Sequence, residues 1–281
     1  MQFAKYHALG NDYLVLASSH FDRELGSDEI RRICRPHTGV GADGILWASI
    51  RPEHRRYGVR IFNPDASEAE TSGNGVRIFA RYLWDCGYIN DEPVEIETAA
   101  GVSRAVVEAR GAAVSLALGR PSFSSADVPV DGPLREVVDE EIRAGGRTYR
   151  FTAVTVGNPH CVIVLPRVSA EEARESGPVI EIDPRFPART NVQFVEIVDR
   201  GRIRMEIWER GAGYTLSSGT SSAAAAAAVH RLGLAGPVLD VEMPGGRLHA
   251  EIDADGSVTI AGPVVKICQG TLAAELLLQR D

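Results

Sequence analysis

No two of the four cysteines, Cys34, Cys86, Cys161 and Cys268, fall into a CxxC pair, and none of the seven histidines forms an HxxxH pair with another. This spacing argues against a zinc knuckle or a disulfide framework and leaves only a metal site assembled from distant residues. A basic excess is missing too. Asp and Glu total 38 against 30 for Lys and Arg, a net charge of -8, which is the wrong balance for a nucleic-acid binder. No apolar run approaches the ~18–20 residues of a membrane span. The longest small-residue stretch, Ala223 to Ala228, is far too short. The start of the chain, Met1-Gln2-Phe3-Ala4-Lys5-Tyr6, alternates like a strand and has no signal-peptide core. A cytoplasmic protein is expected.

What is present fits a globular protein of ordinary composition, 44% hydrophobic and 24% charged. A length of 281 residues suits two domains with separate cores. Strand signals dominate. They cover Phe3–Tyr6, Tyr13–Ala17, Ile45–Ala48, Tyr57–Phe62, Val94–Thr98, Ser103–Glu108 and Ala113–Ala117. After a Pro-, Ser- and Asp-rich connector at Gly119 to Gly132 they resume at Thr148–Thr152, Ala153–Val156, Cys161–Val164, Asn191–Ile197, Ile203–Trp208, Val238–Glu242, Leu248–Ile252 and Val258–Ala261. Helix signals are fewer: Asp28 to Cys34 with Ser27 as N-cap, Gly75 to Cys86, Ala170 to Arg174, and Gly219 to Leu232. In the second, Val76, Phe79, Ala80 and Leu83 fall on one face and Gly87 follows as a stop. The last is so rich in alanine that it suits the middle of a β-shell. Gly270 to Gln279 reads as a final strand returning to the first domain.

Two segments look like copies of each other. Val59-Arg60-Ile61-Phe62-Asn63 leads, nine residues beyond Asn63, to Ser72-Gly73-Asn74-Gly75. Ile203-Arg204-Met205-Glu206-Ile207-Trp208-Glu209 leads, nine residues beyond Glu209, to Ser218-Gly219-Thr220-Ser221. Each is a strand, a turn, a small-residue loop and a helix. The pairing implies two similar halves facing one another across a cleft. The helix N-termini, with free N–H groups and a favourable dipole, are ready anion sites, although serine is also simply a favoured N-cap. In this repeat Glu209 takes the place of Asn63, which promotes Glu209 and Arg210 above solvated surface. His160, in Gly157-Asn158-Pro159-His160-Cys161, is a base or a hydrogen-bonded structural residue. Asn191 alone reads as structural. Gly39-Val40-Gly41-Ala42-Asp43-Gly44 matches GxGxxG, but a helix precedes it and a strand follows, the reverse of a dinucleotide site. A tight turn is the better account.

With those motifs in place the chain resembles the diaminopimelate epimerase family from end to end. Met1 to Asp12, Gly39 to Gly44, Phe62-Asn63-Pro64-Asp65-Ala66-Ser67-Glu68, Gly157 to Cys161, Thr190-Asn191-Val192 and Glu209-Arg210-Gly211-Ala212-Gly213 are all similar to segments of that family. The resemblance implies an α/β fold of two pseudo-symmetric domains, each a strand-rich barrel around a central helix. The boundaries expected are residues 1–118, with 265–281 packing back on them, and 119–264. It implies proton transfer at an α-carbon without pyridoxal phosphate, other cofactor or metal. The partner is an amino acid or related carboxylate, with no nucleic acid or membrane, and a homodimer is compatible with it. The family's two catalytic cysteines, base and acid on opposite faces, fall at Ser72 and Ser218. Gly73, Asn74, Gly219 and Thr220 would hold the reacting carboxylate. Asn63, Asn158, Asn191 and Arg210 would hold the distal end. His160 and Glu209 would sit beside the two bases, and Asn11 would line the pocket.

The chain departs from the pattern at the chemistry. Both cysteines are serine, Tyr214 replaces the usual Glu after Gly213, and Ser221 replaces the usual Gly. A thiol has a reference pKa of about 8.5, whereas a serine hydroxyl is far less acidic and needs a neighbouring base. Three readings follow: an amino-acid isomerase, with diaminopimelate as default substrate; a lyase or double-bond isomerase on the same scaffold, using Ser, His and Glu; or a ligand-binding paralogue without turnover.

Overall fold

The computed structural model describes residues 2–20 and 23–278. Met1 of the opening motif, and residues 279–281 of the expected returning segment, lie outside the described residues. The chain forms two compact units: one runs to Leu116 and resumes at Gly262, the other is Ala117–Ala261.

The first unit opens with the antiparallel pair β1 (Gln2–Ala8) and β2 (Asn11–Ala17). Helix α1 (Ser27–Cys34) then crosses over to β3 (Ile45–Arg51), parallel to β2. β4 (Arg56–Phe62) returns antiparallel and carries the short β5 (Glu68–Ala69). Helix α2 (Gly73–Asp85) makes the second crossover, to β6 (Val94–Thr98), parallel to β4; β7 (Gly101–Glu108) and β8 (Ala113–Ala117) follow.

In the second unit β9 (Glu140–Ala144) pairs with β10 (Arg147–Thr155), β10 with β11 (Pro159–Leu165), and α3 (Ala170–Glu181) crosses to β12 (Asn191–Asp199), parallel to β11. β13 (Arg202–Glu209) returns antiparallel and carries the short β14 (Gly213–Thr215). Helix α4 (Gly219–Arg231) crosses to β15 (Val238–Met243), parallel to β13, and β16 (Gly246–Ile252) and β17 (Val258–Pro263) follow. From β10 to β16 the sense of pairing repeats that from β1 to β7: antiparallel, parallel, antiparallel, parallel, antiparallel. Even the short side strand recurs. The chain then adds β18 (Val265–Thr271), antiparallel to β1, and α5 (Ala274–Leu278).

Helices α2 and α4 end alike because their sequences cap alike. Ser72 and Ser218 are the N-caps. At the other end Gly87 and Gly233 both take φ +73. Gly87 N–H bonds Trp84 O and Tyr88 N–H bonds Leu83 O; Gly233 N–H bonds His230 O and Leu234 N–H bonds Val229 O. Each is a Schellman motif, which favours glycine at the left-handed position. α2 packs against β1, β2, β3, β4, β6 and β7, and α4 against β10, β11, β12, β15 and β16. Strands thus surround both helices. Alanines 223–228 are all buried, since a helix of methyl groups is thin enough to be enclosed on every side. On the outer face, α1 packs with Leu14, Leu16, Ile45 and Trp47, and α3 packs with Phe151, Ile163, Val192 and Phe194.

Several expected boundaries shift. The N-cap of α1 is Gly26, with Ser27 its first helical residue; Glu29 reaches back to accept Gly26 N–H at 2.8 Å and is fixed there by Arg23. Thr148–Thr152 and Ala153–Val156 are one strand, β10, whose burial changes from alternating to continuous because its second half is covered on both faces. α3 runs past Gly177 and Pro178, ordinarily stop signals, because Ile180 and Glu181 are buried beyond them. The connector at Gly119 to Gly132 is tied down: Ser122 bridges Thr155, and Val128 and Val130 enter the core. The expected strand from Gly270 is instead the end of β18 followed by α5. β18 is largely exposed, with Val265 and Ile267 near half, so it carries little burial pattern.

Candidate active site

In the first unit, Ser72 Oγ accepts Gly75 N–H at 3.0 Å as the cap of α2. A side chain at Gly75 would press on Leu46 and on Ser72 itself, at 3.1 and 3.2 Å, so the turn needs glycine there. Asn74, buried, begins a chain of hydrogen bonds. Arg77 Nη2 donates to Asn74 Oδ1 at 2.6 Å, Asn74 Nδ2 to Asn11 Oδ1 at 3.1 Å, and Asn11 Nδ2 to Asp43 Oδ2 at 3.0 Å. Asp12 N–H also donates to Asp43, and Lys5 pairs with Asp12 at 2.6 Å. The chain runs from a cation to a carboxylate, so it fixes which way both amides face. Burial pushes the Asp43 carboxyl up, against the hydrogen bonds it accepts. Arg77 is fully buried, Nε and Nη1 have no partner among the described residues, and burial lowers its pKa to about 10. Tyr13, on β2, places its hydroxyl 3.4 Å from Ser72 Oγ.

The GxGxxG turn supports this half-site and is already saturated. Gly39, Val40, Gly41 and Ala42 donate their N–H groups to carbonyls of Arg35, Ile33, Ile33 and Cys34, and Asp43 N–H bonds Asp12. The amides from Gly39 to Asp43 are therefore committed to the turn and not left to cradle a phosphate. A Cβ at Gly39 would lie 2.0 Å from Arg32 O, and one at Gly44 would lie 2.7 Å from the Tyr13 ring. The glycines allow close packing that delivers Asp43 and Tyr13.

In the second unit, Ser218 Oγ accepts Ser221 N–H at 3.4 Å, and Ser218 and Thr220 are both nearly buried. Ser221 Oγ accepts from Gln193 Nε2 at 3.0 Å. His160 is fully buried, with Nε2 2.8 Å from Asn158 Oδ1. An amide oxygen only accepts, so Nε2 carries the proton and Nδ1 is the basic nitrogen. Among the described residues, neither His160 Nδ1 nor Gln193 Oε1, both buried, has a hydrogen-bond partner. Burial drives the His160 pKa down to about 3, an effect that Gln193 opposes. Asn191 clamps two loops: its Nδ2 donates to Pro159 O at 2.8 Å and its Oδ1 accepts Arg210 N–H at 2.9 Å. Glu181 completes the clamp, accepting Trp208 Nε1 at 2.7 Å and Gly211 N–H at 2.8 Å and pairing with Arg189.

Hydrogen bonds therefore link Asn11 and Asn74 in one unit, with Ser72 and Gly73 at the start of the same helix. They link Asn158, His160, Asn191 and Arg210 in the other, with Ser218, Gly219 and Thr220 at the start of α4. Asn63 bonds Ser67 Oγ within its own turn at 2.9 Å. Glu209, part-exposed, ends β13. Tyr214 donates to Glu206 at 2.6 Å and lies under the Arg174 guanidinium, and burial raises its pKa to about 12. Sequence reasoning missed Tyr13, Arg77, Gln193 and Glu181. A period of two along β2 and β12 would have found the first and third, since Tyr13 shares a face with Asn11 and Gln193 with Asn191. Among the described residues no group of three or more His, Cys, Asp or Glu side chains is placed to hold a metal, and no helix is long and apolar enough to cross a membrane.

The family model described as diaminopimelate epimerase matches residues 3–124 and 152–267. The chain belongs to the diaminopimelate epimerase family. It is 48% identical over 276 residues to diaminopimelate epimerase 2 of a Nostoc species, covering 98% of this chain and 97% of that one. It is 39% identical to the diaminopimelate epimerase of Moorella thermoacetica, covering 96% and 98%. Among solved structures, a hydroxyproline epimerase from Agrobacterium vitis superposes with a TM-score of 0.70 at 19% identity, covering 96% of this chain and 90% of that one. A methylitaconate-delta-isomerase does so with a TM-score of 0.60 at 13% identity, covering 100% and 98%. These last two likenesses establish the fold alone. As a member of the diaminopimelate epimerase family the protein is an isomerase of the racemase and epimerase type.

Proposed function

We propose that the protein inverts the α-carbon of an amino acid without a cofactor, with diaminopimelate as its default substrate. The observation carrying this reading is the pair of serine-capped helix N-termini, one in each unit, in a chain matched almost end to end by diaminopimelate epimerases. The helix starts at Gly73, Asn74, Gly219 and Thr220 hold the α-carboxylate. They also stabilise the charge that develops on it when the α-proton leaves. Asn63, Asn158, Asn191 and Arg210 hold the distal end, and Asn11 lines the pocket.

Ser72 and Ser218 occupy the positions of base and acid, and neither hydroxyl is acidic enough to work unaided. His160 and Glu209 are the groups that serve them. At neutral pH buried His160 is uncharged, with Nδ1 open as an acceptor. A proton taken up there meets Gln193 Oε1, a buried acceptor with no other partner. An incoming carboxylate favours that protonated state. The lyase and double-bond isomerase reading draws on the same hydroxyl and imidazole groups and differs in the fate of the carbanion.

Incubation in heavy water with a panel of amino acids, diaminopimelate included, tests the proposal. NMR would follow the α-proton. Exchange accompanied by inversion is the expected result. Binding without exchange would reject epimerisation, and loss of water or movement of a double bond would point to the second reading.

A further inference from the structure

The repeat can be aligned residue by residue through the strand ladders. In the first unit Leu14 pairs with Ile45, and Ile45 with Phe62, the residue before Asn63. In the second, Cys161 pairs with Val192, and Val192 with Trp208, the residue before Glu209. Phe62 and Trp208 are equivalent by the repeat, so Leu14 is equivalent to Cys161 and Tyr13 to His160. The position that holds a buried imidazole in one unit holds a buried phenol in the other, and that phenol's hydroxyl lies 3.4 Å from Ser72 Oγ. Gly44 is equivalent to Asn191 on the same ladders. Its missing side chain is what admits the Tyr13 ring, since a Cβ there would lie 2.7 Å from it.

We propose that Tyr13 is the proton-transfer partner of Ser72, the counterpart in the first unit of His160 in the second. This rests on the α-carbon isomerase reading above. A phenol, with a reference pKa of about 10, is a far stronger acid than a serine hydroxyl, so Tyr13 supplies acidity that Ser72 lacks. When the unit acts as acid, the Ser72 O–H bond breaks as the α-carbon–H bond forms. The Tyr13 O–H bond breaks as Ser72 regains its proton, and the negative charge rests on the phenolate oxygen. When it acts as base, the same bonds form and break in reverse and the phenolate is consumed. A phenol is the natural proton donor and an uncharged imidazole the natural acceptor, so the first unit rests as the acid and the second as the base.

Tyr13→Phe removes only the hydroxyl. In heavy water, inversion is expected to fall by ~100-fold or more, with KM for the amino acid changed by less than about threefold. Replacing Ser72 by Cys in the Tyr13→Phe background is expected to restore inversion, because a thiol needs no phenol. Tyr13→Phe with unchanged inversion would overturn the proposal. A second measurement needs no turnover. The ultraviolet titration of the full chain minus that of Tyr13→Phe isolates the Tyr13 phenol, and Ser72→Ala is expected to shift it. A titration identical in Ser72→Ala would overturn the pairing. A shifted titration in a protein that exchanges no amino acid would reject the isomerase reading and leave the pairing supported.

Discussion

Asn191 Oδ1 accepts the backbone N–H of Arg210 at 2.9 Å, while the same amide donates to Pro159 O at 2.8 Å. One buried side chain thereby sets the spacing between the turn that carries Asn158 and His160 and the strand end that carries Glu209 and Arg210. Asn191→Ala leaves a buried carbonyl and a buried N–H unmatched, at about 1–3 kcal/mol each before water relieves them. The expected outcome is a lowered urea midpoint together with a raised KM. A change in kcat alone would show that the clamp is not what places the binding groups.

Buried His160 makes the fold sensitive to acid. Its folded pKa is depressed to about 3 from an ordinary value of about 6.5. Between those limits the unfolded chain binds a proton that the folded chain refuses, so stability is present above pH ~6.5 and drains away as pH falls. The slope is on the order of 1 kcal/mol per pH unit. His160→Gln is expected to flatten the dependence of the urea midpoint on pH between ~6 and ~4. An unchanged slope would place the acid sensitivity elsewhere.

Gly177 lies against Trp208, and a Cβ there would stand 2.6 Å from that residue's Cβ and Cγ. Gly177→Ala gains helix propensity worth about 1 kcal/mol. The clash with a side chain held by Glu181 outweighs it, for a net loss of about 1–3 kcal/mol. Thermal unfolding of the variant would measure this. A rise in Tm would mean that the Trp208 ring is free to step aside.

Tyr214 stands where the resemblance leads one to expect glutamate, and its hydroxyl is bonded to Glu206 beneath the Arg174 guanidinium. Tyr214→Phe is expected to cost about 1 kcal/mol of stability and to leave the rate of α-proton exchange within about twofold. A large loss of exchange would bring Tyr214 into the chemistry.

Much of the architecture was legible in local pattern. The positions of α2 and α4 followed from serine caps, apolar spacing and terminal glycines, and most strands from β-branched runs bounded by turn residues. β9 and β18 escaped because their residues are charged or exposed, and the full length of α3 because buried Ile180 and Glu181 override Gly177 and Pro178. The two serine-capped loops were legible for the same local reason, while the roles expected of the other site residues came from the family resemblance. Tyr13, Arg77, Gln193 and Glu181 were not, because a tyrosine on a strand or an arginine inside an amphipathic helix gains its meaning from partners distant in the chain: Ser72 for Tyr13, Trp208 and Gly211 for Glu181.

The run Ala223 to Ala228, enclosed on all sides by strands, leaves that stretch of α4 with no side chain large enough to be trimmed and no room for one to grow. Each methyl group is a gauge block between the helix axis and the wall. Evolution can therefore not retune the reach of Ser218 by resizing the residues behind it. Any change of reach in that unit has to be written in its loops, while the height of the hydroxyl above the shell stays fixed.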